Sequence, residues 1–183
     1  MPARDFDPFR LEVQAFAKEA GELEGRWPLA LLDRVAESAL SEAAGGGIGE
    51  VGWSARGERR ATRGGDFQTW LHVKASAALP LECQRCLQPV TVVLEVARSF
   101  LFVHGEDTAA QIDADSEDDV LAMTRALDLR ELIEDELLLA MPLVPRHEVC
   151  PMPLPVSPNE EFADVEPNPF AVLAALKRGG SLN

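Results

Sequence analysis

Leu71-His72-Val73-Lys74-Ala75-Ser76-Ala77-Ala78-Leu79-Pro80-Leu81-Glu82-Cys83-Gln84-Arg85-Cys86-Leu87-Gln88-Pro89-Val90-Thr91-Val92-Val93-Leu94-Glu95-Val96 decides the fold. Before the first cysteine, Leu71, Val73, Ala75, Ala77, Leu79, Leu81 and Cys83 occupy alternate positions. After the second, Val90, Val92, Leu94 and Val96 do the same. Successive side chains of a strand point to opposite faces of its sheet, so this alternation marks strands with one buried face. Two such runs joined by a short polar segment predict an antiparallel pair with Cys83-Gln84-Arg85-Cys86 at its turn.

A cysteine pair in that setting has three readings. A thioredoxin-type redox pair must open a helix, whose N-terminal dipole lowers the pKa of the first thiol. Here Pro89-Val90-Thr91-Val92-Val93 follows directly, and that is strand chemistry. Alternatively, two thiolates spaced C-x-x-C can take two corners of a tetrahedral zinc. The remaining corners would fall to His147 and Cys150 in His147-Glu148-Val149-Cys150, which makes a Cys3His set with no cysteine to spare. The knuckle lacks a glycine after Cys86 to ease the backbone around a metal. The third reading is three small buried thiols.

The chain has 183 residues, enough for one domain with a tail. No export segment opens it, and the apolar run Leu137-Leu138-Leu139-Ala140-Met141 stops at Pro142, too short to span a membrane. An odd number of cysteines without a leader points to a reducing, cytoplasmic setting. The net charge of -14 disfavours bulk nucleic-acid binding, which depends on counterion release to lysine and arginine. The charge is uneven, however. Arg56, Arg59, Arg60 and Arg63 cluster against Glu58 alone, whereas Glu106, Asp107, Asp113, Asp115, Glu117, Asp118 and Asp119 cluster with no base among them. A polarised surface of that kind can present one basic face; a solvated arginine-rich loop is the plainer alternative.

Elsewhere, Asp7-Pro8-Phe9 predicts a helix start with Phe9, Val13, Phe16 and Ala17 on one stripe. Gly21 to Trp27 reads as a short strand. Pro28 predicts a second helix with Leu31, Leu32, Val35, Ala36, Ala39 and Leu40 inward. Ala44-Gly45-Gly46-Gly47 reads as a loop, Ile48 to Ala55 as a strand, Arg56 to Gly65 as a basic hairpin loop, and Gly105 to Asp119 as an acidic loop. Asp128-Leu129-Arg130-Glu131 resembles a capping box. The helix behind it places Leu129, Leu132, Ile133, Leu137 and Ala140 inward and gives Glu131, Glu134, Asp135 and Glu136 to solvent. From Pro142 to Pro158 the chain is proline-rich and extended. An acidic stretch follows, then Pro167 to Gly179, a short helix with Asn168 as N-cap and Gly179 as stop. It is below the roughly 12–15 residues a lone helix needs in water. Something must therefore cover Phe170, Val172, Leu173 and Leu176.

No nucleophile elbow, P-loop or dinucleotide fingerprint occurs, and the histidines are scattered, so no acid–base pair emerges and an enzyme is not expected. His72 faces away from the core by alternation, His104 adjoins Gly105 at a strand end, and His147 has the ligand role above.

Four segments together resemble the bacterial YceD family. They are Leu81 to Pro89, the helix Leu132 to Pro142 with Val144-Pro145-Arg146-His147, the tail Pro167 to Lys177, and Arg34-Val35-Ala36-Glu37-Ser38. Order and spacing agree over nearly the whole length. The resemblance implies a part in making or keeping large-subunit (23S) ribosomal RNA, with no known catalytic activity and with direct RNA contact left open. Some family members carry a second cysteine pair near the end. This chain has His147 and Cys150 in that region, so one ligand would change type.

These readings predict an α+β protein. Residues 1–145 form a core with a central antiparallel sheet and flanking helices, and residues 146–183 a proline-rich, acidic arm ending in the short helix. The expected function is that of a non-enzymatic ribosome-biogenesis factor. The expected partners are large-subunit rRNA or a preribosomal particle, and a ribosomal protein or assembly enzyme, with no membrane. Arg56, Arg59, Arg60 and Arg63, extended by Arg85, are the expected RNA contacts, with Trp53 and Trp70 beside them as stacking groups or, as large rings usually are, core residues. Phe170, Val172, Leu173 and Leu176 are the expected partner contacts. Cys83, Cys86, His147 and Cys150 are the expected zinc ligands. The alternatives are a zinc- or thiol-dependent redox sensor and a protein-binding adaptor that never touches RNA.

Overall fold

A computed structural model of the chain describes residues 5–40 and 49–151. In chain order the elements are α1 (Val13–Lys18), β1 (Glu22–Pro28), a 3-10 turn (Leu29–Leu31), α2 (Asp33–Ser38), β2 (Glu50–Ala61), β3 (Phe67–Glu82), β4 (Pro89–Val103), α3 (Glu106–Asp115), β5 (Asp119–Ala122) and α4 (Leu129–Ala140). They belong to a compact unit that runs from Met1 to Pro151. The glycine loop at 44–47 and the tail with Phe170, Val172, Leu173 and Leu176 lie outside the described residues.

The alternating runs form the long hairpin β3–β4, paired from Thr69↔Phe102 to Glu82↔Pro89. The sheet order is β1-β2-β3-β4-β5. The first four strands are antiparallel, and the short β5 adds to β4 in parallel, from Phe100↔Asp119 to Val103↔Ala122. The architecture is thus α+β with a mixed sheet.

The alternate residues chosen from sequence line the covered face. Leu71, Val73, Ala75, Ala77, Leu79 and Leu81 of β3 and Leu94 and Val96 of β4 pack with Phe16 of α1, Val35 of α2, and Ile133 and Leu137 of α4. Fully burying one such leucine or isoleucine stabilises the fold by about 1.5–3 kcal/mol. Gly57 lets α1 lie directly on β2, since a Cβ there would stand 2.8 Å from backbone atoms of Phe16 and Ala17. On the opposite face, Trp70, Leu101 and Val120 form a smaller cluster with Ala109 of α3.

Several expectations are corrected. Pro28 ends β1 rather than opening a helix, and a 3-10 turn precedes the short α2, leaving Leu31 40% exposed. Helix α1 starts at Val13, because Asp7 Oδ1 accepts the Phe9 N–H at 2.9 Å and holds the preceding residues in a turn. The basic stretch is strand up to Ala61, so Arg56, Arg59 and Arg60 sit on β2 and Arg63 alone lies in the turn. The acidic segment is not a loop: Glu106–Asp115 is α3, with Glu106 and Asp107 in the first turn, where acids suit the helix dipole. In α4, Leu129, Ile133 and Leu137 are buried and Glu131 and Asp135 exposed as expected, but Ala140 is exposed and Glu134 and Glu136 are buried. Their partners are arginines: Glu134 pairs with Arg34 at 3.0 Å, and Glu136 with Arg98 at 3.2 Å. The capping residue is as expected, with Asp128 Oδ1 accepting from the Arg130 and Glu131 N–H groups at 2.9 and 3.3 Å.

Candidate metal centre

The turn between β3 and β4 is closed by its own backbone. The Cys83 N–H donates to the Gln88 carbonyl at 3.0 Å, and the Leu87 N–H to the Cys83 carbonyl at 2.8 Å. Leu87 takes the left-handed conformation, φ +58°, where a glycine would be easier. A strained position of that sort costs about 1–3 kcal/mol and persists only where the surroundings enforce it. The knuckle therefore curls without its glycine.

After α4 the chain returns across this turn. The Gln84 N–H donates to the Pro145 carbonyl at 2.9 Å, and the His147 N–H to the Cys83 sulfur at 3.4 Å. This brings together all four predicted ligands. Cys83, Cys86, His147 and Cys150 each place one ligand atom within 4.8 Å of the others. The Cys83 and Cys150 sulfurs stand 3.9 Å apart, and Cys86 Sγ stands 3.4 Å from His147 Nδ1. A tetrahedral zinc with Zn–S of about 2.3 Å and Zn–N of about 2.0–2.1 Å has S···S edges of about 3.8 Å and S···N edges of about 3.5 Å. Both observed separations fit those edges.

The imidazole is oriented for the same role. His147 Nε2 lies 3.0 Å from the Pro89 carbonyl oxygen, which can only accept, so Nε2 carries the proton. In the neutral ring Nδ1 then holds the lone pair that faces Cys86. A ligating histidine is commonly held in this way, its second nitrogen donating to a carbonyl.

Burial opposes ionisation of Cys83, but the N–H groups of Arg85, His147 and Cys86 outweigh it and bring the thiol down to about 5. Burial pushes Cys86 up, and the neighbouring sulfurs of Cys150 and Cys83 push it further. Three sulfurs this close cannot all carry charge unless a cation sits among them. Donor types, spacing and electrostatics therefore all suit a divalent, thiophilic ion.

Arg85, expected as an extension of the basic cluster, lies in the cysteine turn rather than on β2. Its Nε donates to Cys150 Sγ at 2.9 Å, and one terminal nitrogen reaches the His147 and Glu148 carbonyls at 3.0 and 3.2 Å. Sequence reading missed this contact with the sulfur. The signal available was a cation between two cysteines in a chain whose third cysteine stood elsewhere.

The other arginines are divided by strand alternation. Arg56 and Arg60 share the open face of β2, where Glu58 pairs with them at 3.7 and 3.0 Å and accepts from His72 Nε2 at 2.8 Å. Arg59 points to the opposite face, its guanidinium 3.6 Å from the centre of the exposed Phe67 ring. The open face holds a depression of about 690 Å³ lined in part by Ser54, Arg56, His72, Lys74 and Ser99. Trp53 and Trp70 are buried, so both are core aromatics.

Residues 71–177 match a family described as the large ribosomal RNA subunit accumulation protein YceD. A curated protein of that name from Haemophilus influenzae is 38% identical over 114 residues, which cover 57% of this chain and 63% of the relative. The alignment thus spans less than two thirds of the relative's length. No solved structure matches the chain. The family match takes in more than half of the chain, including the β3–β4 knuckle, α4 and the His147–Cys150 segment that meet at this centre, and on that ground the chain belongs to the YceD family.

Proposed function

We propose that this chain is a non-enzymatic, cytoplasmic factor in the synthesis, processing or accumulation of large-subunit ribosomal RNA, acting on the rRNA or on a preribosomal particle. The observation that carries this reading is the family match across residues 71–177. The H. influenzae relative's name, large ribosomal RNA subunit accumulation protein, points the same way. No helix among the described residues is long and apolar enough to cross a membrane. The test is a strain lacking this gene, scored for 23S rRNA and large-subunit particles and complemented with the full chain. Normal 23S rRNA and normal large-subunit particles in that strain would refute the proposal.

The metal in this reading is a structural zinc. Cys83, Cys86, His147 and Cys150 would hold it, and all four protein positions would be filled, as in closed structural sites. When bound, it would neutralise the thiolates and fasten the segment after α4 to the β3–β4 turn. The His147 tautomer, set by the Pro89 carbonyl, is the observation that favours it.

Basic contact with RNA is proposed at the end of the β2–β3 hairpin that bears Arg56, Arg59, Arg60 and Arg63. Phe170, Val172, Leu173 and Leu176, which fall within the family match, are proposed to dock on a ribosomal protein or assembly enzyme. Phe170→Ala with Leu173→Ala should then weaken cosedimentation with preribosomal particles, and unchanged cosedimentation would remove that partner role.

A further inference from the structure

We propose that Arg85 is the positioning residue of the metal centre: its guanidinium holds the Cys150 sulfur in the ligand set and cancels the charge that a Cys3His zinc leaves over. The inference rests on the metal reading above and assigns Arg85 to that site rather than to an RNA surface.

The geometry is specific. Cys83 and Cys86 are fixed by the β3–β4 turn, but His147 and Cys150 lie on a segment outside any helix or strand. A ligand on irregular chain loses conformational freedom when it binds, and a prior tether removes part of that loss. Arg85 supplies the tether from within the knuckle. One guanidinium spans the Cys150 sulfur at 2.9 Å and the carbonyls of His147 and Glu148 at 3.0 and 3.2 Å. Arg85 itself lies between Cys83 and Cys86 in the knuckle, so one residue joins the turn to the segment that carries the other two ligands.

Charge points to the same role. Three thiolates and a neutral imidazole around a divalent ion leave a single negative charge uncancelled. The chain already carries 31 acidic residues against 17 lysines and arginines, so that surplus adds to an acidic molecule unless a cation is placed against it. A guanidinium bonded to one of the sulfurs meets it directly. Its planar fork can serve a sulfur and two carbonyls together, whereas a lysine ammonium supplies the charge without the fork.

The test uses the full-length, reduced chain with cobalt(II) as a spectroscopic probe and zinc affinity measured by chelator competition. Arg85→Gln should weaken zinc binding about 10–100-fold, the usual effect of losing a partner of a metal ligand. Its thiolate-to-cobalt absorption should fall by about a third, as one of three sulfurs drops out. Arg85→Lys should recover part of the affinity. In a Cys150→Ser background, Arg85→Gln should cost little more, because its partner sulfur is already gone. Wild-type affinity and absorption in Arg85→Gln would overturn the positioning role and leave the metal reading intact. An equal loss in both backgrounds would also overturn it. A wild-type chain that takes up neither cobalt nor zinc would overturn the metal reading, and this inference with it. If Arg85→Gln fails to fold, Arg85→Lys decides: full wild-type affinity there overturns the role of the fork.

Discussion

Glu134 Oε1, on α4, accepts the backbone N–H of Arg34 at 2.7 Å and thereby caps α2 from a position 100 residues further along the chain. The same oxygen takes the Val35 N–H at 3.4 Å, while Oε2 pairs with the Arg34 side chain at 3.0 Å. Helix α2 has Leu32 at its N-cap and no local side-chain cap, so Glu134 satisfies donors that its own sequence leaves open. Asp135 adds a bond to Arg34 at 2.7 Å, and Arg34 is correspondingly held above the ordinary guanidinium range, first by Asp135 and then by Glu134.

Replacing Glu134 should therefore act on α2 rather than on α4. Glu134→Ala should destabilise the domain by about 1–2 kcal/mol through the lost cap alone. Glu134→Gln should lose less, since its amide oxygen can still accept from Arg34. Urea denaturation of the two variants checks the order. Equal effects would mean that the charge, not the cap, carries the contribution.

Glu58 gives the fold a pH dependence with a defined sign. Its carboxyl is held below the ordinary value of 4.5, first by the Arg60 hydrogen bond and then by His72. A depressed carboxylate contributes stability that is present above its unfolded pKa and fades as pH falls through the folded one. Stability should decline on acidification below about 4.5. Glu58→Gln should flatten that part of the profile, as thermal melts across pH 3 to 6 would show. An unchanged acid limb in the variant would assign the loss to other carboxylates.

Much of this architecture is legible in sequence because it is local or periodic. Period-two alternation placed the β3–β4 hairpin and put its cysteines at the turn, and Asp128 marked the start of α4. The misplaced features depend on chain neighbours that are distant in sequence. Glu134 and Glu136 fit a solvated face until Arg34 and Arg98 arrive on either side of α4. The arginines of β2 read as one cluster in a line of text, but the pleat sends Arg59 to the opposite face from Arg56 and Arg60. Helix α3 buries only Ala109, so no apolar stripe announces it. The four candidate ligands could be selected by residue type. The Pro89 carbonyl that fixes the His147 tautomer, and the Arg85 contact to Cys150, appear only once the strands are paired.

Purified, reduced, untagged protein should hold close to one equivalent of zinc. Chelation should lower its melting temperature without abolishing the sheet, because β3 and β4 bury their own apolar face independently of metal. Zinc at a hundredfold excess over its dissociation constant adds about 2.7 kcal/mol. For a chain of this size that corresponds to roughly 5–10 °C. Metal analysis showing no zinc, together with a melting temperature indifferent to chelator, would reduce the cluster to three thiols and an imidazole.

The split of the arginines makes the proposed RNA contact separable by face. Arg56→Glu with Arg60→Glu reverses charge on the open side of the sheet, beside Lys74 and His72. Arg59→Glu does so on the α1 side, against Phe67. Phosphate contacts are read as salt-dependent affinity with no sequence preference. If the open face meets the rRNA, the first pair should abolish association with large-subunit precursor and Arg59→Glu should leave most of it. Raised salt should release the wild type in the same assay. The reverse pattern would move the contact to the α1 side of the hairpin. Association unaffected by either set would make the basic hairpin incidental and favour the adaptor reading, in which this chain reaches the precursor through a protein. Near-wild-type melting temperatures are required of both sets, and Arg60 is the position to watch, because its guanidinium lies 4.7 Å from the Trp70 ring. Arg56→Glu alone, free of that contact, should still lose part of the association if the open face is the one that binds.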